Sequence, residues 1–360
     1  MGGLSIYARK DGRYEGRVYL GKDNSGKRKY RSYYGSSAAE VERKYNNTEA
    51  RYIPSPEITQ MTVKRLAEEW LFSAASRIKE STMANYRMKM EKHIIPAFGG
   101  TNIVSIRSAD IYSFINSKIE GRLSVRYVSD ILVLMKSIFK YAAREYGIKN
   151  VFDGITMPKK TPGEVKLLSP AEQNTLKNYI SIAPSRVGLG IALAMYMGLR
   201  IGELCALRWE DIDLQKRILT VSKTIQRIGC VSGEKRTKLI ITEPNRRKSS
   251  RIIPIPECII PMLTAFKSDE ESYILTGTEK PMEPRSLQYR FTRILKKLGL
   301  PQVHFHSLRH LFASRAIELN FDMKTLSELL GHSSIELTMR LYVHSSLDRK
   351  KACMDKFGWS

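Results

Sequence analysis

Two proline-bearing breaks constrain this chain more than any other feature. Pro54-Ser55-Pro56 lies near the start, and Pro158-Lys159-Lys160-Thr161-Pro162-Gly163 lies before the midpoint. Proline fixes φ, lacks an N–H and pushes the preceding residue away from helical geometry, so regular structure stops at such stretches. At roughly 100–200 residues per domain, 360 residues suggest two or three domains, and the breaks divide the chain into segments 1–55, 60–157 and 166–360.

The first segment reads as a small β unit. Ser5-Ile6-Tyr7 runs into the turn Asp11-Gly12, and Tyr14 to Leu20 follows with near-alternation. After Gly21 to Gly26, a third strand spans Lys27 to Tyr34, and Ser36-Ser37 caps a helix through about Tyr45. Basic and aromatic side chains interleave on the strands. A sheet of this size fits a DNA groove; equally, its tyrosines can simply form a small core beneath solvated charges.

The second segment reads as a four-helix bundle. Thr62 caps a helix from Val63 to Ala75, with Leu66, Trp70 and Leu71 on one face. Ser81 caps Thr82 to Ile94, which Pro96 and Gly99-Gly100 end, and Ser108 caps a helix to Ile119. Ser124 starts a long helix closed by Gly147, with Val128, Ile131, Leu132, Met135, Ile138 and Ala142 at helical spacing.

The third segment mixes both types of structure. Ser169-Pro170-Ala171-Glu172 is a capping box with proline at the first helical position, opening a helix to about Ile182. One helix is expected over 186–208, then strands at Ile218 to Gln226, Leu239 to Thr242 and Arg251 to Ile255, and a mostly helical remainder. The fold class is thus multidomain and mainly α with small β-sheets: a three-stranded β domain, a helical bundle, and a mixed α+β domain.

Charge narrows the function. Lys and Arg number 60 against 36 acids, a net charge of +24. Such self-repulsion points to a polyanionic partner, nucleic acid above all, although a basic surface also serves solubility. No run of about 18 uncharged apolar residues suggests a membrane helix. Met1-Gly2-Gly3-Leu4-Ser5 lacks the apolar stretch of a secretory signal and does not cleanly meet the myristoylation pattern. The widely spaced Cys205, Cys230, Cys258 and Cys353 form no metal or redox motif and suit a cytoplasmic protein.

Three short stretches in the last segment carry chemistry together. Gly198-Leu199-Arg200 interrupts an apolar helix, and Glu203 follows three residues on, close enough to hold the guanidinium. His306-Ser307-Leu308-Arg309-His310 puts His306 and Arg309 on one helix face. Gly331-His332 precedes Tyr342 by about ten residues. Singly, each has a bland reading: a structural ion pair, a core histidine, a packed tyrosine. His304, His306 and His310 have no thiolate or acidic neighbour, so no metal is expected, and no phosphate-binding loop calls for a nucleotide.

In this order the residues resemble the tyrosine recombinase family, the phage-type and conjugative-transposon integrases, whose pattern is Arg, Lys, His-x-x-Arg, His or Trp, then Tyr. The chain supplies Arg200, His306, Arg309, His332 and Tyr342. The resemblance covers nearly the whole length: 1–55 is similar to an arm-type DNA-binding domain, 60–157 to a core-binding domain and 166–360 to the catalytic domain. One position departs from the pattern. Where relatives carry a lysine after Glu-Pro, this chain reads Glu243-Pro244-Asn245-Arg246-Arg247-Lys248. Either the hairpin shifts to bring in Lys248, or Arg246 or Arg247 substitutes, or the enzyme is impaired. Lys248 is the preferred reading, because arginine scarcely gives up its proton.

The resemblance implies cleavage and rejoining of double-stranded DNA at crossover and arm sites through a 3′-phosphotyrosine, without metal, ATP or other cofactor. It implies a homo-oligomer, a tetramer on DNA, and leaves room for accessory DNA-bending or excision proteins. The residue types suit the task. Arg200 and Arg309 can clamp a phosphodiester, His332 can add a hydrogen bond, and Tyr342 can attack in line. His306 can take the phenol proton and Lys248 can protonate the leaving 5′-oxygen. Two other readings stay open: a DNA-binding relative that has lost cleavage, and a type IB topoisomerase.

Overall fold

A computed structural model of the chain describes residues 4–22, 28–50, 58, 60–159, 166–230, 237–242, 250–331, 351 and 355. They fall into two compact units, 1–162 and 163–360. The division lies inside the second proline-bearing break.

The first unit begins with an antiparallel sheet in sequence order: β1 (Ser5–Ala8), β2 (Tyr14–Lys22) and β3 (Arg28–Gly35). The register pairs Tyr7 with Glu15, and Arg17 with both Ser5 and Ser32. Helix α1 (Ala38–Ala50) follows, with the Ser37 hydroxyl accepting the Glu40 N–H at 3.2 Å. Val41 of α1 and Val18 of β2 are buried, so the inner face is aliphatic. Tyr7, Tyr19, Tyr30 and Tyr34 are exposed instead. These four tyrosines therefore do not build the core.

The rest of this unit is helical: α2 (Val63–Ala74), α3 (Glu80–Lys89), α4 (Ile95–Phe98), α5 (Ser108–Glu120) and α6 (Val125–Tyr146). Thr62 and Ser124 cap α2 and α6 through side-chain oxygens. All six apolar positions of α6 expected to face inward are buried, together with Leu66 and Leu71. Three expected boundaries shift. Glu80 rather than Thr82 opens α3, with Lys79 before it. Pro96 does not end that helical run, because a π turn over Met90–Ile94 carries the chain into α4. There the Ile95 N–H reaches back to the Met90 carbonyl, a wider turn that accommodates the missing proline donor. Ser108 is the first residue of α5 rather than its cap; the Asp110 carboxylate accepts the Arg107 N–H at 2.8 Å.

The second unit holds α7 (Pro170–Ile182), α8 (Arg186–Met197), α9 (Ile201–Ala206), β4 (Ile212–Asp213), β5 (Ile218–Val221), β6 (Thr224–Gly229), β7 (Thr237–Thr242), β8 (Arg251–Pro254), α10 (Ile260–Phe266), α11 (Pro284–Lys297), α12 (His306–Glu318) and α13 (Met323–Leu330). The capping box before α7 forms in both directions. Helix α8 is buried nearly all round, as a central core helix must be. The single helix expected over 186–208 is two helices. Gly198 takes φ +65°, and Arg200 is extended at φ −73°, ψ 148°. The expected strand at 218–226 likewise divides into β5 and β6. Strands β4, β5 and β8 form one antiparallel sheet, and β6 with β7 a separate hairpin.

Candidate active site

The helix break at Gly198 makes Arg200 available. As the residue before α9, its backbone N–H is donated to Glu203 Oε2 at 2.9 Å and its Nη1 to Glu203 Oε1 at 2.7 Å. The i, i+3 hold expected from the sequence is present. The Arg200 side chain remains 36% exposed, whereas Glu203 is buried.

Helix α13 supplies the other half of the site. A helix ends with carbonyls that have no partner within it and with partial negative charge. Here three consecutive carbonyls each accept from a different arginine. Arg251 Nε reaches the Leu329 oxygen at 2.6 Å, Arg309 Nη2 the Leu330 oxygen at 2.5 Å, and Arg200 Nη2 the Gly331 oxygen at 3.1 Å. The arginines come from β8, α12 and the break before α9, so one helix end gathers three remote segments. Arg309 also donates Nη1 to the Gly198 carbonyl at 2.7 Å, tying α12 to the same break that presents Arg200.

Glu203 pairs with two of the three cations. Besides Arg200, it accepts Arg251 Nη1 on Oε1 at 3.1 Å and Nη2 on Oε2 at 2.9 Å. Burial alone would raise this carboxyl. The Arg251 hydrogen bonds and charge, followed by the Arg200 charge, outweigh it and hold the group at about 2. Two guanidiniums share this carboxylate and the third, that of Arg309, rests on carbonyls alone, so the cluster keeps net positive charge in a desolvated place, and such a place favours an anion.

His306 opens α12 and lies near these cations. Burial first, then His310, Arg309 and Arg200, lower its pKa to about 4, so the imidazole is neutral near pH 7. A neutral ring can accept a proton, and an arriving anionic phosphate would raise its basicity. The His310 ring meets it edge-on at 5.0 Å between centroids.

Of the sequence-derived site residues, Arg200, His306 and Arg309 are brought together. Lys248, His332 and Tyr342 lie outside the described residues, as do Asn245, Arg246 and Arg247. The sequence reading passed over Arg251 as an ordinary strand residue. Its signal was in the alternation: Arg251, Ile253 and Ile255 share the buried parity, while Ile252 points out. A lone charge on an inward row is the mark of a buried partner.

In the first unit, Glu15 organises the exposed face of the small sheet. It accepts from Arg9 Nη1 and Arg17 Nε at 2.8 Å each, from Ser32 Oγ at 2.9 Å and from Tyr34 Oη at 3.3 Å. The hydrogen bond from Arg17, with those of Ser32 and Arg9, draws it down to about 2 despite the opposing effect of burial.

Comparisons with known proteins place the chain's sequence and fold. The Phage integrase family model matches residues 166–349, and the Phage integrase, N-terminal SAM-like domain model matches 62–119. A Tyrosine recombinase XerC-like protein of Caldanaerobacter subterraneus subsp. tengcongensis is 30% identical over 363 aligned positions, covering 92% of each chain. The fold is similar to the Tn1549 transposon integrase in complex with a circular intermediate DNA (TM-score 0.71, 24% identity, 83% of this chain and 100% of that one). It is also similar to a lambda integrase tetramer bound to a Holliday junction (TM-score 0.59, 21% identity, 91% and 95%).

Proposed function

We propose that this chain, which belongs to the phage integrase family, is a site-specific tyrosine recombinase that cuts and rejoins double-stranded DNA to integrate and excise a mobile element. The observation that carries the reading is the meeting of Arg200 and Arg309 on the consecutive carbonyls of Leu330 and Gly331, beside neutral His306.

Each residue then has one task. Arg200 and Arg309 stabilise the charge that grows on the non-bridging oxygens as phosphorus becomes five-coordinate. The Tyr342 oxygen forms a bond to phosphorus, its proton passes to His306, and the bond to the 5′-oxygen breaks. Lys248 gives that oxygen its proton, and His332 donates a hydrogen bond to the phosphate. The 3′-phosphotyrosine conserves the phosphodiester linkage, so another 5′-hydroxyl reseals it with no nucleotide consumed.

The domain plan goes with this reading: 1–55 binds arm-type sites, 60–157 grips the crossover site, and 166–360 performs the chemistry. The exposed tyrosines and arginines around Glu15 support the first role. The working form is a tetramer on DNA in the bacterial cytoplasm. The likeness to the tetrameric lambda complex supports that assembly. Asn245 in the family's lysine slot favours one second reading, a relative that binds DNA without cleaving it.

A nicked suicide substrate separates the two. Wild-type protein should become covalently attached and Tyr342→Phe should not, while both bind the site equally. Attachment by the phenylalanine variant refutes the nucleophile, and no attachment by wild type supports the non-cleaving relative. For Lys248→Ala, slow cleavage should recover on a substrate with a 5′-thiolate leaving group, which needs no general acid. Failure to recover removes Lys248 from that role.

A further inference from the structure

Arg251 has no part in the chemistry just assigned, yet it is as deeply built into the site as the residues that do. Its side chain is 6% exposed. It stands in β8 on the inward row of Ile253, continued past the strand by Ile255, where an aliphatic side chain would be the ordinary choice. Burying a guanidinium there is costly unless every bond is well made. A local conflict of this kind, kept and fully compensated, marks a functional position.

The compensation is specific. The planar fork of Arg251 meets both oxygens of Glu203, and its Nε meets the Leu329 carbonyl. Each Glu203 oxygen is therefore shared: Oε1 between Arg251 and the Arg200 guanidinium, Oε2 between Arg251 and the Arg200 backbone N–H. The fork sets the plane of the carboxylate, and the carboxylate sets where the Arg200 guanidinium points. The same guanidinium fixes the end of α13, whose next carbonyls hold Arg309 and Arg200. Gly331 completes the fit. A Cβ there would lie 3.0 Å from Arg251 Nη1, so a side chain would press directly against the guanidinium.

We propose that Arg251 is a positioning residue for strand cleavage: through the shared Glu203 carboxylate it aims Arg200, and through the Leu329 carbonyl it holds the helix end on which both phosphate-binding arginines converge. This rests on the recombinase reading above. Arg251 itself acts on Arg200 and α13 rather than on the phosphate. The groups that face Glu203 are Arg200, Arg251 and His306. Removing Arg251 takes away the strongest support for the ionised carboxylate, leaving burial to push its titration upward.

The test uses the full chain and the nicked suicide substrate, with rate of covalent attachment measured across pH. Arg251→Met should bind DNA as wild type does but cleave about a hundredfold more slowly, the scale of misplacing a catalytic group by about 1 Å. Its acid limb should move toward neutral pH. Adding Glu203→Gln to that variant should abolish the moved limb, since the titrating group is then gone. Arg251→Lys keeps the charge without the fork and should fall between, with a smaller shift. Arg251→Ala should regain part of its rate when guanidinium ion is supplied at concentrations too low to unfold the protein. Cleavage by Arg251→Met at the wild-type rate overturns the proposal. So does a slow Arg251→Lys variant with an unmoved pH profile, because a merely structural arginine would lower the active fraction without altering titration. If wild type never attaches to DNA, the recombinase reading falls and takes this proposal with it; the other outcomes reject Arg251 alone.

Discussion

Two carboxylates in this molecule each collect a pair of arginines, and they do so for opposite ends. Glu15 lies on the outward face of a three-stranded sheet, and its arginines stay well exposed, at 39% for Arg9 and 49% for Arg17. Glu203 lies within the second unit, and one of its arginines is sealed in at 6%. Around Glu15 every donor is a side chain, Arg17 from its own strand, Arg9 from just beyond β1, and Ser32 and Tyr34 from β3, so the cluster can adapt to what docks on it. Around Glu203 the guanidiniums continue onto main-chain carbonyls of α13, so the cluster holds backbone. The first arrangement suits a surface that meets many phosphates; the second suits one phosphorus held still.

The largest expected contrast comes from removing each charge. Glu203→Gln leaves a buried guanidinium without its anion and should cost about 3–5 kcal/mol of stability, with cleavage severely reduced. Glu15→Gln should lower stability far less and leave crossover-site cleavage intact, because its cations reach water. Urea unfolding and the suicide substrate read both effects, and equal losses would erase the distinction. Acid sharpens it. Glu203 has a folded pKa of about 2, below its ordinary 4.5, so its stabilising contribution is complete above that ordinary value and is lost as pH falls through about 2. Glu15 follows the same direction. Salt should weaken the Glu15 contribution more than that of Glu203, as screening reaches the exposed Arg9 and Arg17 but not the sealed Arg251. Unfolding curves at two pH values and two salt concentrations decide this.

A smaller contrast is carried by glycines. Gly12 and Gly331 both adopt positive φ, +80° and +61°. Around Gly12 there is open space, so Gly12→Ala should cost only backbone strain, about 1 kcal/mol. Gly331→Ala adds a contact with Arg251 and should cost more than Gly12→Ala in thermal unfolding, and slow cleavage as well. Smallest of all, Arg17→Ala should reduce the salt dependence of arm-site binding by about one unit in slope, while crossover cleavage is unchanged. An unchanged slope would detach Arg17 from phosphate contact.

The helical bundle was readable from the sequence because its information is local. Val128 to Ala142 repeat at helical spacing, and Thr62 and Ser124 sit directly before the helices they cap. The π turn before Pro96 was not readable, since proline ordinarily stops a helix and nothing nearby announces the wider turn. In the second unit, Glu203 was legible as a partner of Arg200 because three residues separate them. Its second partner, Arg251, lies 48 residues away on another element. The joining of Arg309 to Gly198 spans 111 residues. Such pairings depend on how elements pack, so the motif named the participants while the fold disclosed how they are held.

The close fit between Arg251 and the bare α-carbon of Gly331 has a consequence for descent. A side chain acquired at 331 would press the guanidinium at 251 by a few tenths of an ångström away from the carboxylate and carbonyl it holds, so a lineage that keeps the guanidinium in place is favoured to keep glycine there. Among relatives, these two sites should therefore be inherited as a unit, changing jointly or staying as they are.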